Sequence, residues 1–233
     1  MTTTAAYFDK RSAEWEELYK HDPRFARRFE LLTEFMRPLI DQHHVNTALD
    51  YGCGTGLYSR WLASRGIEVT GFDISPQMLE RARELSQDQG ITFTNDLSQV
   101  VSTRFDAIFA LSVLEYVDDV ERLLRAFASA TSKGGLLVAS IPNPGGVVRR
   151  MEALIFGLRR LTKGKLFGNQ GDYLAHQRWS VTPAQFDALM ERLGYRKIDQ
   201  LYYNAAFALP PNMLPLFEKR WWAALYAGAY VKV

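Results

Sequence analysis

Leu49-Asp50-Tyr51-Gly52-Cys53-Gly54-Thr55-Gly56 decides how this chain is read. Three glycines at alternate positions follow an acid that closes the apolar run Thr47-Ala48-Leu49. Such a chain leaves a buried strand and turns tightly, and glycine, lacking Cβ, lets the backbone approach a ligand. A helix expected over 57–65 would point its first N–H groups back at the turn. A nucleotide-like ligand is the natural occupant.

The dinucleotide fingerprint G-x-G-x-x-G is not met. Counted from Gly52 its third position is Leu57, and counted from Gly54 it is Ser59. What stands is D-x-G-x-G-x-G, with Asp50 at the ligand. A carboxylate there would repel a pyrophosphate and attract a cation. S-adenosylmethionine carries an α-ammonium and a sulfonium, so charge favours it. About twenty residues on, Glu68-Val69-Thr70-Gly71-Phe72-Asp73 is a second strand ending in an acid. In a doubly wound sheet that acid can accept from both ribose hydroxyls. Ser75 and Pro76 then read as the N-cap and first residue of a helix.

These residues carry a resemblance to class I S-adenosylmethionine-dependent methyltransferases. The matching pieces are Leu49–Gly56, Gly71–Leu79 with Ala82-Arg83, Phe93–Asp96, Phe105–Tyr116 and Lys133–Asn143. They stand in family order and spacing over roughly residues 45 to 205, and they are similar to small-molecule enzymes such as the ubiquinone-pathway O-methyltransferases. The resemblance implies a doubly wound, Rossmann-like α/β sheet of seven strands, mostly parallel. A final hairpin would insert an antiparallel last strand, and N-terminal helices and a cap insertion would flank the sheet. The cofactor site expected is Tyr19, Arg28, Asp50, Tyr51, Gly52, Cys53, Gly54, Asp73, Ile74, Met78, Asn95, Asp96, Leu97, Leu111 and Tyr116. Many relatives carry histidine at the position of Tyr116, so no histidine chemistry is expected there.

Composition agrees with one globular domain. The chain has 233 residues, 47% hydrophobic, with a net charge of +2. It divides into a helical segment (1–44), a cofactor core (45–141), a cap insertion (142–181) and a C-terminal helix and hairpin (182–233). The one cysteine, Cys53, excludes an internal disulfide, and its place in the turn argues for packing rather than nucleophilic chemistry. The first residues hold no secretory pattern, and no apolar run reaches the ~18 residues of a spanning helix. A cytoplasmic protein is expected. His43-His44 have no acid or cysteine at metal spacing, so no metal site is expected.

Periodicity predicts helices over 10–20, 24–40, 57–65, 76–88, 119–131 and 182–193. It predicts strands over 46–50, 67–73, 91–94, 106–111, 135–141, 197–204 and 227–233. Asp118, with Glu121 three residues later, reads as a capping box for 119–131. Arg28 falls on the apolar face of 24–40, where an unpaired charge is costly. Its anionic partner is either the carboxylate of the cofactor's methionine part or a protein carboxylate.

The insertion begins with a basic amphipathic stretch. Val147, Met151, Leu154, Ile155 and Leu158 share a face, while Arg149, Arg150, Arg159, Arg160, Lys163 and Lys165 stand against Glu152. Three readings are open: an apolar face on the core, a cap over the acceptor, or peripheral membrane contact through 147–166. Nucleic acid is not expected as a partner, because charge is balanced and basic residues do not interleave with aromatics. Pro142, Pro144 and Gly145-Gly146, with Gly164, Gly168 and Gly171, suggest a mobile cap. His176, ahead of the helix at 182, is the candidate general base facing the acceptor, as the resemblance implies. The function expected is direct SN2 methyl transfer to a small amphipathic or aromatic acceptor, at oxygen rather than nitrogen or carbon. A cofactor-binding protein without transferase activity and a nicotinamide-dependent oxidoreductase are the alternatives.

Overall fold

The computed structural model describes residues 4–161, 176–203 and 219–233. Three helices come first: α1 (Thr4–Asp9), α2 (Ser12–His21) and α3 (Pro23–Gln42). Strands and helices then alternate as β1 (Thr47–Tyr51), α4 (Leu57–Ala63), β2 (Glu68–Phe72), α5 (Pro76–Leu85), β3 (Thr92–Thr94), α6 (Leu97–Ser102) and β4 (Phe105–Ala110). A 3-10 turn at Leu114–Tyr116 leads to α7 (Val120–Ala130), β5 (Thr131–Pro142) and α8 (Val147–Leu161). The chain closes with α9 (Pro183–Arg192), β6 (Tyr195–Tyr203) and β7 (Leu225–Lys232).

The strands form one sheet in the order β3-β2-β1-β4-β5-β7-β6. β1 to β5 pair in parallel, and β7 runs antiparallel between β5 and β6. The expected seven-stranded sheet with an inserted antiparallel last strand is therefore the sheet found. Alternate strand residues feed two cores. Leu49, Ile108 and Leu137 pack with Phe127 of α7 and Phe186 of α9. Ala48, Phe109 and Val138 pack with Leu32 and Met36 of α3 and Leu62 of α4. Cover on both faces is what a parallel sheet needs, because each strand is apolar on both sides. Each fully buried large side chain contributes about 1.5–3 kcal/mol.

Helix starts follow the local chemistry. Ser75 accepts from the Met78 N–H at 3.1 Å, with Pro76 next. Thr182 and Gln185 form a full capping box ahead of α9. The cap of α7, however, is Asp119 rather than Asp118: its side chain accepts from the Arg122 N–H at 3.0 Å. The expected box does not form, because the helix begins at Val120, which puts Arg122 rather than Glu121 at the third helical position and leaves Asp118 in solvent, 3.8 Å from Arg178. β5 also begins four residues earlier than the expected 135, directly from the end of α7. α1 and α6, each six residues, and the 3-10 turn have no counterpart in the expected elements. Residues 162–175, with Gly164, Gly168 and Gly171 of the expected mobile cap, lie outside the described residues.

Candidate active site

A cavity of about 540 Å³ opens beyond the carboxyl ends of β1, β2 and β4. This is where strand order reverses and where open α/β sheets bind ligands. Its floor is the glycine turn. Gly52 and Cys53 donate their N–H groups to the Phe72 carbonyl at 2.7 and 2.9 Å, which ties the turn to the end of β2. Gly52 has φ +76°, and a Cβ there would stand 2.4 Å from Val113, so only glycine lets β1 and the β4 loop meet. Gly54 has φ +54°, and a Cβ there would point toward the indole of Trp15 at 3.7 Å, across the cavity. The N–H of Gly54 is spent on Asp73 Oδ2 at 2.9 Å.

Asp73 lines the cavity and also accepts from the Ser75 N–H at 2.9 Å. Burial pushes its carboxyl up, while the N–H groups of Ser75 and Gly54 pull the other way. Two backbone donors leave lone pairs on both oxygens, so the group can lock the turn and still accept from ligand hydroxyls. Tyr51, Ile74, Met78 and Leu111 line the apolar part of the floor. Cys53 lines it too, but burial raises its thiol well above the ordinary range, so it is no nucleophile.

The roof is aromatic. Tyr7 and Phe8 of α1, Trp15 and Tyr19 of α2, and Phe25 of α3 line it. Phe8 meets Trp15 and Tyr116 edge-on at 5.9 and 5.3 Å, and Tyr19 meets Phe25 at 5.2 Å. Glu16 fastens this roof to the floor. It accepts from Thr55 Oγ1 at 3.1 Å and pairs with Arg60 at 3.2 Å. Asp9 holds the other end through the Ser75 hydroxyl, so α1 is hooked to the start of α5.

Between floor and roof lies a buried polar cluster. Arg28 lines the cavity, and its Nε has no hydrogen-bond partner among the described residues. No carboxylate among them makes an ion pair with it. Burial works against the charge, and the oxygens of Tyr19, Tyr203, Tyr58 and Glu115 work for it; on balance the guanidinium stays charged. Tyr58 Oη, Tyr203 Oη and Glu115 Oε2 are also buried without hydrogen-bond partners among the described residues. Arg28 Nε, on the buried cation itself, and Tyr58 Oη beside it are donors on the cavity wall that fit a ligand carboxylate, which would accept from both.

Four expected cofactor residues do not line the cavity. The Asp50 carboxylate turns inward and accepts from Ser59 Oγ at 2.6 Å, and burial holds its pKa at about 6. Asp96 is spent as the N-cap of α6, accepting from the Ser98 N–H at 2.9 Å. Asn95 and Leu97 flank that cap, and Leu97 is exposed. His176 also stands outside the lining. Its ring packs on Tyr7, centroids 4.1 Å apart, and Tyr7 is the residue that faces the cavity.

Glu115, which is not among the expected site residues, does line the cavity. It sits in the 3-10 turn after β4, where Arg178 and Trp179 donate their N–H groups to its carbonyl at 2.7 and 3.3 Å. Burial pushes its carboxyl up, opposed by Arg28 and Arg149. Arg149 and Glu152 of α8, paired at 3.0 Å, complete the wall on that side.

Residues 49–139 match a family model described as a methyltransferase domain. Over that stretch the chain is similar to class I S-adenosylmethionine-dependent methyltransferases. It is 30% identical over 159 residues to a ubiquinone biosynthesis O-methyltransferase of Xanthomonas axonopodis, covering 65% of this chain and 63% of that one. It is 40% identical over 101 residues to the protein of that name from Methylocella silvestris, covering 41% of this chain and 39% of that one. The chain thus spans less than two thirds of these relatives. In fold it is similar to the magnesium protoporphyrin IX methyltransferase of Synechocystis solved with S-adenosylhomocysteine. The TM-score is 0.69 at 17% identity, covering 98% of this chain and 97% of that one. It is also similar to the N-methyltransferase NodS of Bradyrhizobium japonicum, with a TM-score of 0.66 at 14% identity and 99% of each chain covered. The glycine floor, Asp73 and the orphaned Arg28 fit the neutral turn, ribose and carboxylate demands of such a cofactor.

Proposed function

We propose that this protein transfers a methyl group from S-adenosylmethionine to an oxygen of a small amphipathic or aromatic acceptor. Support for oxygen comes from the names of the curated relatives. Support for the acceptor class comes from a cavity walled by Tyr7, Phe8, Trp15 and Tyr116 on one side and Arg149 on the other. When bound, the cofactor supplies a methyl group already activated on its sulfonium, so the chain has only to align, shield and deprotonate.

In this reading Asp73 accepts from the ribose hydroxyls, and Gly52, Cys53 and Gly54 let the ligand lie against the turn. Met78 and Ile74 flank the adenosine end, and Arg28 with Tyr19 takes the carboxylate. Asp50 acts from beneath the turn rather than by contact, and Asn95, Asp96 and Leu97 shape the rim. Glu115 is the group suited to accept the acceptor's hydroxyl proton on Oε2: it lines the cavity, its carboxyl is raised by burial, and that oxygen has no partner among the described residues. His176 serves by holding Tyr7 in place.

The observation that carries the reading is Arg28 in the cavity wall, with no ion-pair partner among the described residues. Arg28→Met should weaken S-adenosylhomocysteine binding by about 2–4 kcal/mol, because the ligand carboxylate loses its charged partner. The free protein should lose nothing in melting temperature, since a buried cation without an ion pair is removed. Calorimetry and thermal melts read the two effects, and labelled S-adenosylmethionine incubated with phenolic and carboxylic amphiphiles reads transfer. Unchanged affinity in Arg28→Met would remove the carboxylate assignment. Absence of labelled product with a bound cofactor would point to a binding protein without transferase activity.

A further inference from the structure

Helix α8 is turned the opposite way from an ordinary surface helix. Arg149, Glu152 and Ile155 face the cavity. The apolar stripe faces outward: Val147, Met151, Leu154 and Leu158, one helix face by spacing, are 36, 47, 63 and 42% exposed. A helix docked for stability alone buries that stripe and exposes its charges. Of the three readings open in the sequence, an apolar face on the core is thus the one overturned.

The stripe does not end with the helix. Val147 donates its N–H to the Trp221 carbonyl at 2.7 Å, and this brings the Trp221-Trp222 pair beside the first turn of α8. Trp221 is 72% exposed. Arg150, Lys219 and Arg220, all exposed, stand around this surface. The one acid of α8, Glu152, is drawn to Arg149 on the cavity side.

We propose that this composite surface rests on an anionic lipid layer. Leu154, Met151 and Trp221 would enter the boundary between headgroups and acyl chains, and Arg150, Lys219 and Arg220 would meet lipid phosphates. Apolar centre, exposed tryptophan and the basic side chains Arg150, Lys219 and Arg220 among the described residues are the chemistry of an interfacial helix. Self-association fits less well. A two-fold contact would set this patch against itself and bring like charges together. The inference stands apart from the methyl-transfer reading, since it needs neither cofactor nor acceptor. If both hold, the lipid would lie against the outer side of the same helix that walls the cavity, and an amphipathic acceptor would have a short path in.

Co-sedimentation of the full chain with vesicles tests it, using phosphatidylcholine alone and phosphatidylcholine mixed with phosphatidylglycerol. Partition should favour the phosphatidylglycerol vesicles and fall as salt rises. The double variant Leu154→Ser, Trp221→Ser should bind them about tenfold or more weakly, because two apolar side chains no longer enter the acyl boundary. Lys219→Glu with Arg220→Glu should remove the preference for anionic lipid, about fivefold or more per charge. These side chains are exposed, so circular dichroism and S-adenosylhomocysteine binding should not change. Equal partition into both vesicles, or variants that bind like the parent, would overturn the proposal. So would a concentration-dependent dimer that Leu154→Ser disperses in the absence of any lipid preference, which would assign the face to a second copy. Loss of S-adenosylhomocysteine binding by the parent would instead count against the function proposed above and leave the vesicle result readable.

Discussion

The floor and the roof of the cavity are built by different means. The floor is backbone. Gly52, Cys53 and Gly54 spend their N–H groups on Phe72 and Asp73, and a Cβ at Gly52 would collide with Val113. The roof is side chains. Phe8, Trp15, Tyr19 and Phe25 meet edge to edge at 5.2–6.0 Å, and any set of large rings could do similar work. A floor made this way is narrow in what it accepts, with glycine required at Gly52 and a left-handed φ of +54° at Gly54, and so constrains what it binds. A roof made this way can vary with the acceptor while the cofactor stays the same.

The largest effect that would sharpen the contrast lies at their junction. Glu115 is held by its own carbonyl in the 3-10 turn and lines the cavity, within the influence of Arg28 and Arg149. Glu115→Gln should lower turnover by about 10²–10⁴-fold, or about 3–5 kcal/mol, with S-adenosylhomocysteine affinity little changed. His176→Ala, which removes only a ring behind Tyr7, should cost about tenfold or less and act on acceptor affinity. Steady-state kinetics of the two variants decides between them. A larger loss at His176 than at Glu115 would return the proton to the histidine and show that the roof does chemistry as well as shaping.

How much of this was legible follows the same division. The D-x-G-x-G-x-G turn, Asp73, Ser75 and Pro76 were readable because backbone geometry leaves few residues able to stand there. Arg28 was readable because a cation on an apolar face needs a reason. α1 was not, since six residues give no period to detect. Nor could periodicity tell which way α8 faces. It finds a stripe, but the same stripe serves a core, a lid or a lipid surface. Asp118 and Asp119 are equivalent as sequence, and only the first turn of α7 selects Asp119. Asp50 and Asp96 were placed at the ligand by motif, yet their oxygens are claimed by Ser59 and by the first turn of α6.

A second test asks whether the floor stores strain before any ligand arrives. Burial holds Asp50 at about 6, well above a free carboxyl. The folded protein therefore keeps a proton that the unfolded chain gives up near pH 4. Stability tied to that proton is complete below about pH 4 and is lost as pH rises through about 6. The full loss is about 3 kcal/mol. Asp50→Asn cannot titrate. Denaturant melts from pH 4 to 7 should show the parent losing about that much relative to the variant. Parallel pH profiles would mean that Asp50 is not strained, and that the floor is as tolerant as the roof.

The smallest effect is the most discriminating, because Asp73 serves the floor twice. It locks the turn through Gly54 and Ser75, and it lines the space where hydroxyls would sit. Asp73→Ala should weaken S-adenosylhomocysteine binding by about 1.5–3 kcal/mol, as expected for a charged acceptor of hydrogen bonds. It should also lower the melting temperature, because two backbone donors are left without their partner. Asp73→Asn keeps one carbonyl oxygen and can hold one donor, so it should recover part of the stability but little of the affinity. That split separates the two duties. If both variants bind the ligand as the parent does while melting earlier, Asp73 is a turn lock only. The floor would then be specific in shape alone, and recognition of the ribose would have to come from the roof.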